Sequence, residues 1–319
     1  METETVKTNQ PLSEVDLALC RATLYSALAL GFRPPTEETV ARLVSKEGAV
    51  TLADAAAILD SHPHPYPLPF RARETTSTLS FEERDRVRRD FGLAATVKSL
   101  DGAQAASVIE LSASYRRLFG HTALGAVPPY ETEYGSEALF QQPQELGDLM
   151  GFYSAFGLTL NAAEHERPDH ISCECEFLSF LALKEAYALE HNDASMLEGT
   201  RAATRLFLRD HLGRFVPAFA KRLTRIGYPH PRPLPAGEGW GEGAGNTEAL
   251  HDDPQSFYGA LGNLLLTFVN QECARFGVPL GPAGQELRPA TDDRVPMACG
   301  NGAECAAMPG AGTPEEMEE

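Results

Sequence analysis

The chain has 319 residues, 43% of them hydrophobic and 8% aromatic, which is enough to bury a core and too apolar for wholesale disorder. Its 45 Asp and Glu against 27 Lys and Arg give a formal charge of -18, which argues against nonspecific binding to nucleic acid or an anionic membrane and favours cationic partners. No apolar run reaches the roughly 18 residues of a membrane span, and the opening METETVKTNQPLSEVD lacks the layout of an export signal. No stable membrane insertion and a cytoplasmic location are expected.

Apolar spacing is helical nearly throughout. In VDLALCRATLYSALALGF, Val15, Leu19, Ala22, Tyr25 and Ala29 recur every three or four residues, and Gly31 ends the run. PTEETVARLVSKEG offers Thr36 as N-cap and Gly48 as stop. HPHPYPLPF (62–70) is a proline-rich connector, and SFEERDRVRRDFG pairs Ser80 with Glu83 at capping-box spacing. QPQELGDLMGFYSAFG puts Pro143 at a first helical position and stops at Gly157. In HERPDHISCECEFLSFLALKEAYALE, Pro168 suits a first helical turn and Asp169 the positive end of the helix dipole. Along it His170, Glu174, Phe177 and Leu181 form one stripe and Ile171, Cys175, Leu178 and Ala182 the next, leaving Ser172, Glu176 and Ser179 as the wet face.

PHPRPLPAGEGWGEGAGN (229–246) nearly repeats the earlier Pro-rich core and reads as a flexible insertion. Its glycines alternate with Glu238 and Glu242, which repel phosphate. A long helix follows in HDDPQSFYGALGNLLLTFVNQECARFG, with no alternating strands anywhere. The expectation is all-α, a single compact multi-helix bundle: a flexible N-terminus over 1–13, a helical domain over 14–280 and a disordered acidic tail over 281–319.

Cys20, Cys173, Cys175 and Cys273 lie in apolar helical segments and read as free thiols. Cys173 and Cys175 point about 200° apart on a helix and cannot share a metal; Cys299 and Cys305 lack further ligands. No metal site, resident cofactor or nucleophile motif is expected, and the protein reads as no enzyme.

Two stretches concentrate chemistry on loops. RLFGHTALGAVPPYETEYG (117–135) packs tyrosines and carboxylates after paired prolines, and ERPDHISCE sets His170 four residues before Glu174. An i,i+4 ion pair with a capped helix start is the plain reading of the latter, an acid–base set the other. Tyr130 and Tyr134 either present ring faces to a ligand or bolt the loop to the core.

Together, SYRRLFGHTALGAVPPYETEYG and ERPDHISCECEFLSFL resemble the TorD/DmsD/NarJ group of redox-enzyme maturation chaperones, most closely the branch serving type II dimethyl sulfoxide reductase family molybdoenzymes. Several members carry an acidic residue directly before Pro-Asp-His; here Arg167 stands there and Glu166 one place earlier. The resemblance implies a TorD-like helical fold and, as partner, the apo catalytic subunit of a molybdenum oxidoreductase with its N-terminal signal segment. It implies only transient contact with molybdopterin cofactor or guanine nucleotide, and a monomer or dimer. Tyr115, Phe119, Tyr130, Glu131, Glu133, Tyr134, Asp169, His170 and Glu174 are then the client-binding candidates, the carboxylates for paired arginines and the rings for cation–π contact. A helical adaptor and a nucleotide-hydrolysing enzyme are the competing readings.

Overall fold

A computed structural model describes residues 12–43, 45–62, 92–100, 107–120, 125–135, 141–161, 166–227 and 254–288. The expected features at 1–11, 63–70, 229–246 and 289–319, and the capping box at Ser80, lie outside these. Residues up to Leu287 form one unit.

Ten α-helices are present among the described residues, with isolated bridges in place of strands. They are α1 Glu14–Gly31, α2 Glu37–Leu43, α3 Lys46–Ser61, α4 Leu93–Lys98, α5 Val108–Phe119, α6 Gln141–Ala155, α7 Ile171–Glu190, α8 Ala194–Asp210, α9 Leu212–Gly227 and α10 Pro254–Phe276. The all-α expectation holds. Local chemistry sets several starts: Ser13 with Asp16 and Ser107 with Glu110 form capping boxes for α1 and α5. Asp60, at the end of α3, accepts the Leu93 and Ala94 N–H groups at 3.0 and 2.9 Å and so caps α4 from a distance in sequence.

Several expectations about boundaries and faces need correcting. Gly48 does not close a helix: α2 stops at Leu43, and the Gly48 N–H bonds the Ser45 hydroxyl inside the first turn of α3. Leu19 points outward, while Ala18, Leu24 and Leu28 join Ala22, Tyr25 and Ala29 in the core. α6 begins two residues before Pro143. α7 begins only at Ile171, because His170 is its N-cap and Pro168–Asp169 make the preceding turn.

α1 and α7 form the most extensive helix pair and run antiparallel, since Arg33 meets Glu176 while Arg21 meets Glu185. α7 is buried on nearly every side. Ser172 and Ser179, expected to be wet, are inside, and the Ser179 hydroxyl donates to the Ala22 carbonyl. At the far end of α7 the buried Glu185 accepts from Arg21, Arg201 and Arg275, a charge cluster joining α1, α7, α8 and α10. Cys20, Cys173, Cys175 and Cys273 are free thiols.

The folded body runs past the expected limit at 280. Pro217 inside α9 has no N–H to offer the Gly213 carbonyl one turn back. That carbonyl instead accepts the Gly281 N–H at 2.9 Å, and the chain continues to Leu287, which bridges to Tyr134. A Cβ on Gly281 would fall 1.8 Å from the Arg214 carbonyl oxygen, whereas one on Gly284 would meet nothing. Gly281→Ala is therefore expected to cost about 1–3 kcal/mol by overpacking and Gly284→Ala almost nothing, read as urea midpoints of the two variants.

Candidate functional site

The structure brings the Pro-Tyr-Glu loop against the turn before α7. The Glu131 N–H donates to the Asp169 carbonyl at 2.9 Å, and the Ile171 N–H to the Pro129 carbonyl at 2.8 Å, forming a two-bond bridge between Tyr130 and His170. The loop then makes a short 3-10 turn over Glu131–Glu133. On its other side the Gly135 N–H reaches the Glu286 carbonyl.

The carboxylates here already hold arginines of the same chain. Asp169, with no exposed surface, accepts from the Thr132 N–H and hydroxyl at 3.2 and 2.7 Å and from Arg167 Nε and Nη2 at 3.0 and 2.8 Å. The Arg167 guanidinium lies over the Tyr130 ring, 4.4 Å from its centroid, and 3.5 Å from Glu133 Oε1. Glu131, equally buried, takes Arg214 Nη2 at 2.7 Å on one oxygen and faces His211 Nδ1 at 3.0 Å with the other. Arg214 also reaches Glu145 of α6. The bidentate contact and the cation–π contact expected for a client are thus made internally.

The rings are packed to different degrees. Tyr134 is buried against Phe215 and Phe219 and donates its hydroxyl hydrogen to the Pro128 carbonyl, so it bolts the loop to α9. Tyr115 and Phe119 sit in the core with Phe32 and Tyr258, and the Tyr115 hydroxyl meets the Phe32 carbonyl. Tyr130 is half-buried, edge-on to His170, and burial pushes its phenol up to about 12.

The expected His170–Glu174 pair is not formed. As N-cap, His170 turns Nδ1 back to accept the Ser172 N–H, which leaves the proton on Nε2. Burial lowers its pKa to about 3, so the ring is neutral. Nε2 lies 3.9 Å from Glu166 Oε2. Glu174 is fully buried with both carboxyl oxygens unpartnered. Burial, then the charges of Glu131 and Asp169, push its pKa well above the usual carboxylate range, which favours the protonated form. No hydrogen bond joins the two side chains, so they form no acid–base couple in this arrangement.

The open space lies on the other side of the α7 start. A groove of about 760 Å³ runs between the end of α1, α2, the N-terminal half of α7 and the extended segment 158–161. Leu30, Leu158, Leu160, Phe177 and Phe180 give it an apolar floor; Glu38, Glu166 and Glu176 stand with Arg33 and Arg42 along its walls. Cys173 also lines it, its thiol pushed by burial to about 12 and so unreactive as a thiolate. Of the nine candidates none lines this groove; Glu166, one place from Pro-Asp-His in sequence, does. Sequence reasoning missed Arg214 and His211, whose only signal is a basic i,i+3 pair at the α8–α9 corner, and it missed every groove residue on α1 and α2.

The region that carries the two docked motifs is also the region in which the chain is similar to known proteins. Residues 88–221, which contain both motifs, match the family described as nitrate reductase delta subunit, and the resemblance read from the sequence holds. Over 78 residues, 24% of this chain and 39% of the relative, it is 42% identical to the chlorate reductase assembly chaperone protein of Ideonella dechloratans. The selenate reductase assembly chaperone protein of Thauera selenatis is 40% identical over the same share, and chaperone protein TorD of Vibrio cholerae is 29% identical over 120 residues, 37% of this chain and 52% of that one. The chain thus spans about two-fifths to one-half of these relatives' length. No solved structure matches it significantly.

Proposed function

We propose that this protein is a system-specific chaperone of the cytoplasm. In this reading it binds the cofactor-free catalytic subunit of a molybdenum oxidoreductase of the type II branch and holds it through cofactor insertion, assembly and export. The observation that carries the reading is the groove beside the docked motifs: an apolar floor rimmed by carboxylates suits an apolar segment preceded by basic residues, such as a signal segment. The printed names of the relatives, assembly chaperones of chlorate and selenate reductases, point the same way. Burying such a segment contributes about 25 cal/mol per Å² of apolar area, less the cost of ordering a flexible peptide. His170 and Glu174, whose side chains share no hydrogen bond, give no support to hydrolytic chemistry.

The test is a tagged pull-down from native cytoplasm with molybdenum cofactor synthesis blocked. The expected result is enrichment of one cofactor-free catalytic subunit, reduced at least about tenfold by Phe180→Asp, which places a charge on the groove floor. Capture of assembled complexes alone would move the assignment to an adaptor, and equal capture by Phe180→Asp would remove the groove from it.

A further inference from the structure

The acidic groups around the docked motifs differ in what already holds them. Asp169 accepts two nitrogens of the Arg167 guanidinium, Glu131 and Glu145 share Arg214, and the exposed Glu176 meets Arg33. Glu133 stands 3.5 Å from Arg167 as well. Glu166 is placed differently. Among the described residues no arginine or lysine side chain forms an ion pair with it, and its partners are neutral.

The cause lies in the residue that follows it. Arg167 gives Glu166 Oε1 its main-chain N–H at 3.0 Å and commits its guanidinium elsewhere: to Asp169, to the Thr132 hydroxyl at 2.7 Å and over the Tyr130 ring. The Tyr130 phenol hydrogen-bonds the Glu166 carboxylate. His170 Nε2, buried without a hydrogen-bond partner, lies 3.9 Å from its Oε2. An ionised carboxylate accepts about four hydrogen bonds, so these contacts leave acceptor capacity on it and its charge unmatched. Its position makes that charge count. Glu166 lines the 760 Å³ groove with the apolar Leu158, Leu160 and Phe177, and its side chain is 24% exposed. Burial raises its pKa, against the lowering by the Arg167 N–H and Tyr130. A cation brought beside it offsets solvation that the groove has removed. The gain is larger than at an exposed carboxylate such as Glu38, where water screens the pair.

We infer that Glu166 is the acceptor for one cationic side chain, a guanidinium or an ammonium, of the segment that lies in the groove. The basic residue meets Glu166 beside the turn that precedes α7, and the apolar residues that follow it lie over Leu158, Leu160, Phe177 and Phe180. With Asp169 and Glu131 committed to arginines of the chain, recognition of an incoming cation falls to the carboxylate that Arg167 leaves open. The site also discriminates, because an apolar segment without a cation covers Glu166 and removes its remaining water without replacing it. This inference rests on the groove reading proposed above.

The test uses the full chain and a labelled synthetic peptide carrying paired arginines ahead of an apolar stretch, alongside the same peptide with both arginines replaced by glutamine. Binding at neutral pH is followed by fluorescence anisotropy, and thermal melts confirm that each variant is folded. The unaltered protein is expected to bind the arginine peptide about tenfold tighter than the glutamine peptide, as for one charge-assisted hydrogen bond. Glu166→Gln keeps an acceptor for the Arg167 N–H and should cut that preference to about twofold or less by weakening the arginine peptide. Glu166→Asp keeps the charge and should retain a preference of about fivefold. Glu190→Gln removes the same charge from an exposed place at the far end of α7 and should keep the full preference. No preference in the unaltered protein, one that survives Glu166→Gln, or one lost equally in Glu190→Gln overturns the role of Glu166 and leaves the groove reading in place. Failure of either peptide to bind any folded form overturns the groove reading itself.

Discussion

Asp169→Ala is expected to lower the stability of the protein by about 3 kcal/mol and to undock the Pro-Tyr-Glu loop from α7. The loss has two sources. The Thr132 N–H and hydroxyl lose their acceptor in a fully buried place, and a desolvated donor left without a partner costs about 1–3 kcal/mol. The Arg167 guanidinium loses its two-pronged partner as well, although its partial exposure lets water take up much of that change. Asp169→Asn keeps one acceptor for Thr132 and should forfeit roughly half as much. The measurement is a urea titration of both variants, with amide exchange at Glu131 and Thr132 to follow the loop. If Asp169 met the client directly and held nothing inside, Asp169→Asn would weaken client capture with no change in the urea midpoint.

Glu174→Gln should make the protein more stable at neutral pH, and the gain should grow with pH. The cause is an unfavourable site: the Glu174 carboxyl is fully buried, has no hydrogen-bond partner, and shares its surroundings with Glu131 and Asp169, against the single favourable charge of Arg214. The folded protein therefore keeps the Glu174 proton well above 4.5, the pH near which the unfolded chain releases it. With the folded pKa raised, the unfolded state binds fewer protons in that window, so stability falls as pH climbs from about 4.5 towards the folded pKa. Glutamine does not ionise and escapes the penalty. The variant's lead should be smallest below about pH 4.5 and widen as the pH rises, by no more than about 1.4 kcal/mol per pH unit. Melts at several pH values decide it, and a gap that stays constant with pH would show that Glu174 is ionised in the folded protein.

Much of the architecture could be read from the residues, for a physical reason. Helix starts are decided within four residues, so Thr36 before α2 is visible as capping chemistry. The stop at Gly157 is visible because this residue adopts a left-handed backbone that glycine takes without strain. The faces were harder. α7 was given a wet side from Ser172 and Ser179, yet small hydroxyls pack readily in an interior when a carbonyl such as that of Ala22 is at hand. The meeting of the two motifs was expected, because the family resemblance supplied it. What local pattern could not supply was the partner of each carboxylate. Arg214 lies 83 residues from Glu131, and Arg33 143 residues from Glu176. No periodicity encodes such pairs. Arg167 was noted only as a departure from the family's acidic residue, when in fact it grips Asp169 two places on.

The loop between Pro128 and Gly135 is fastened on both flanks by segments distant in sequence: the 167–171 turn on one side and 281–287 on the other. Each fastening closes a long stretch of chain, and the entropy of such closure must be met before the contacts reward it. Both flanks of the loop are held only when Glu286 and Leu287 lie against it as well as the 167–171 turn. On a chain emerging from the ribosome the first fastening can close once Ile171 has been made and the second only after Glu286 and Leu287, so the loop has its two anchors available at different lengths of chain.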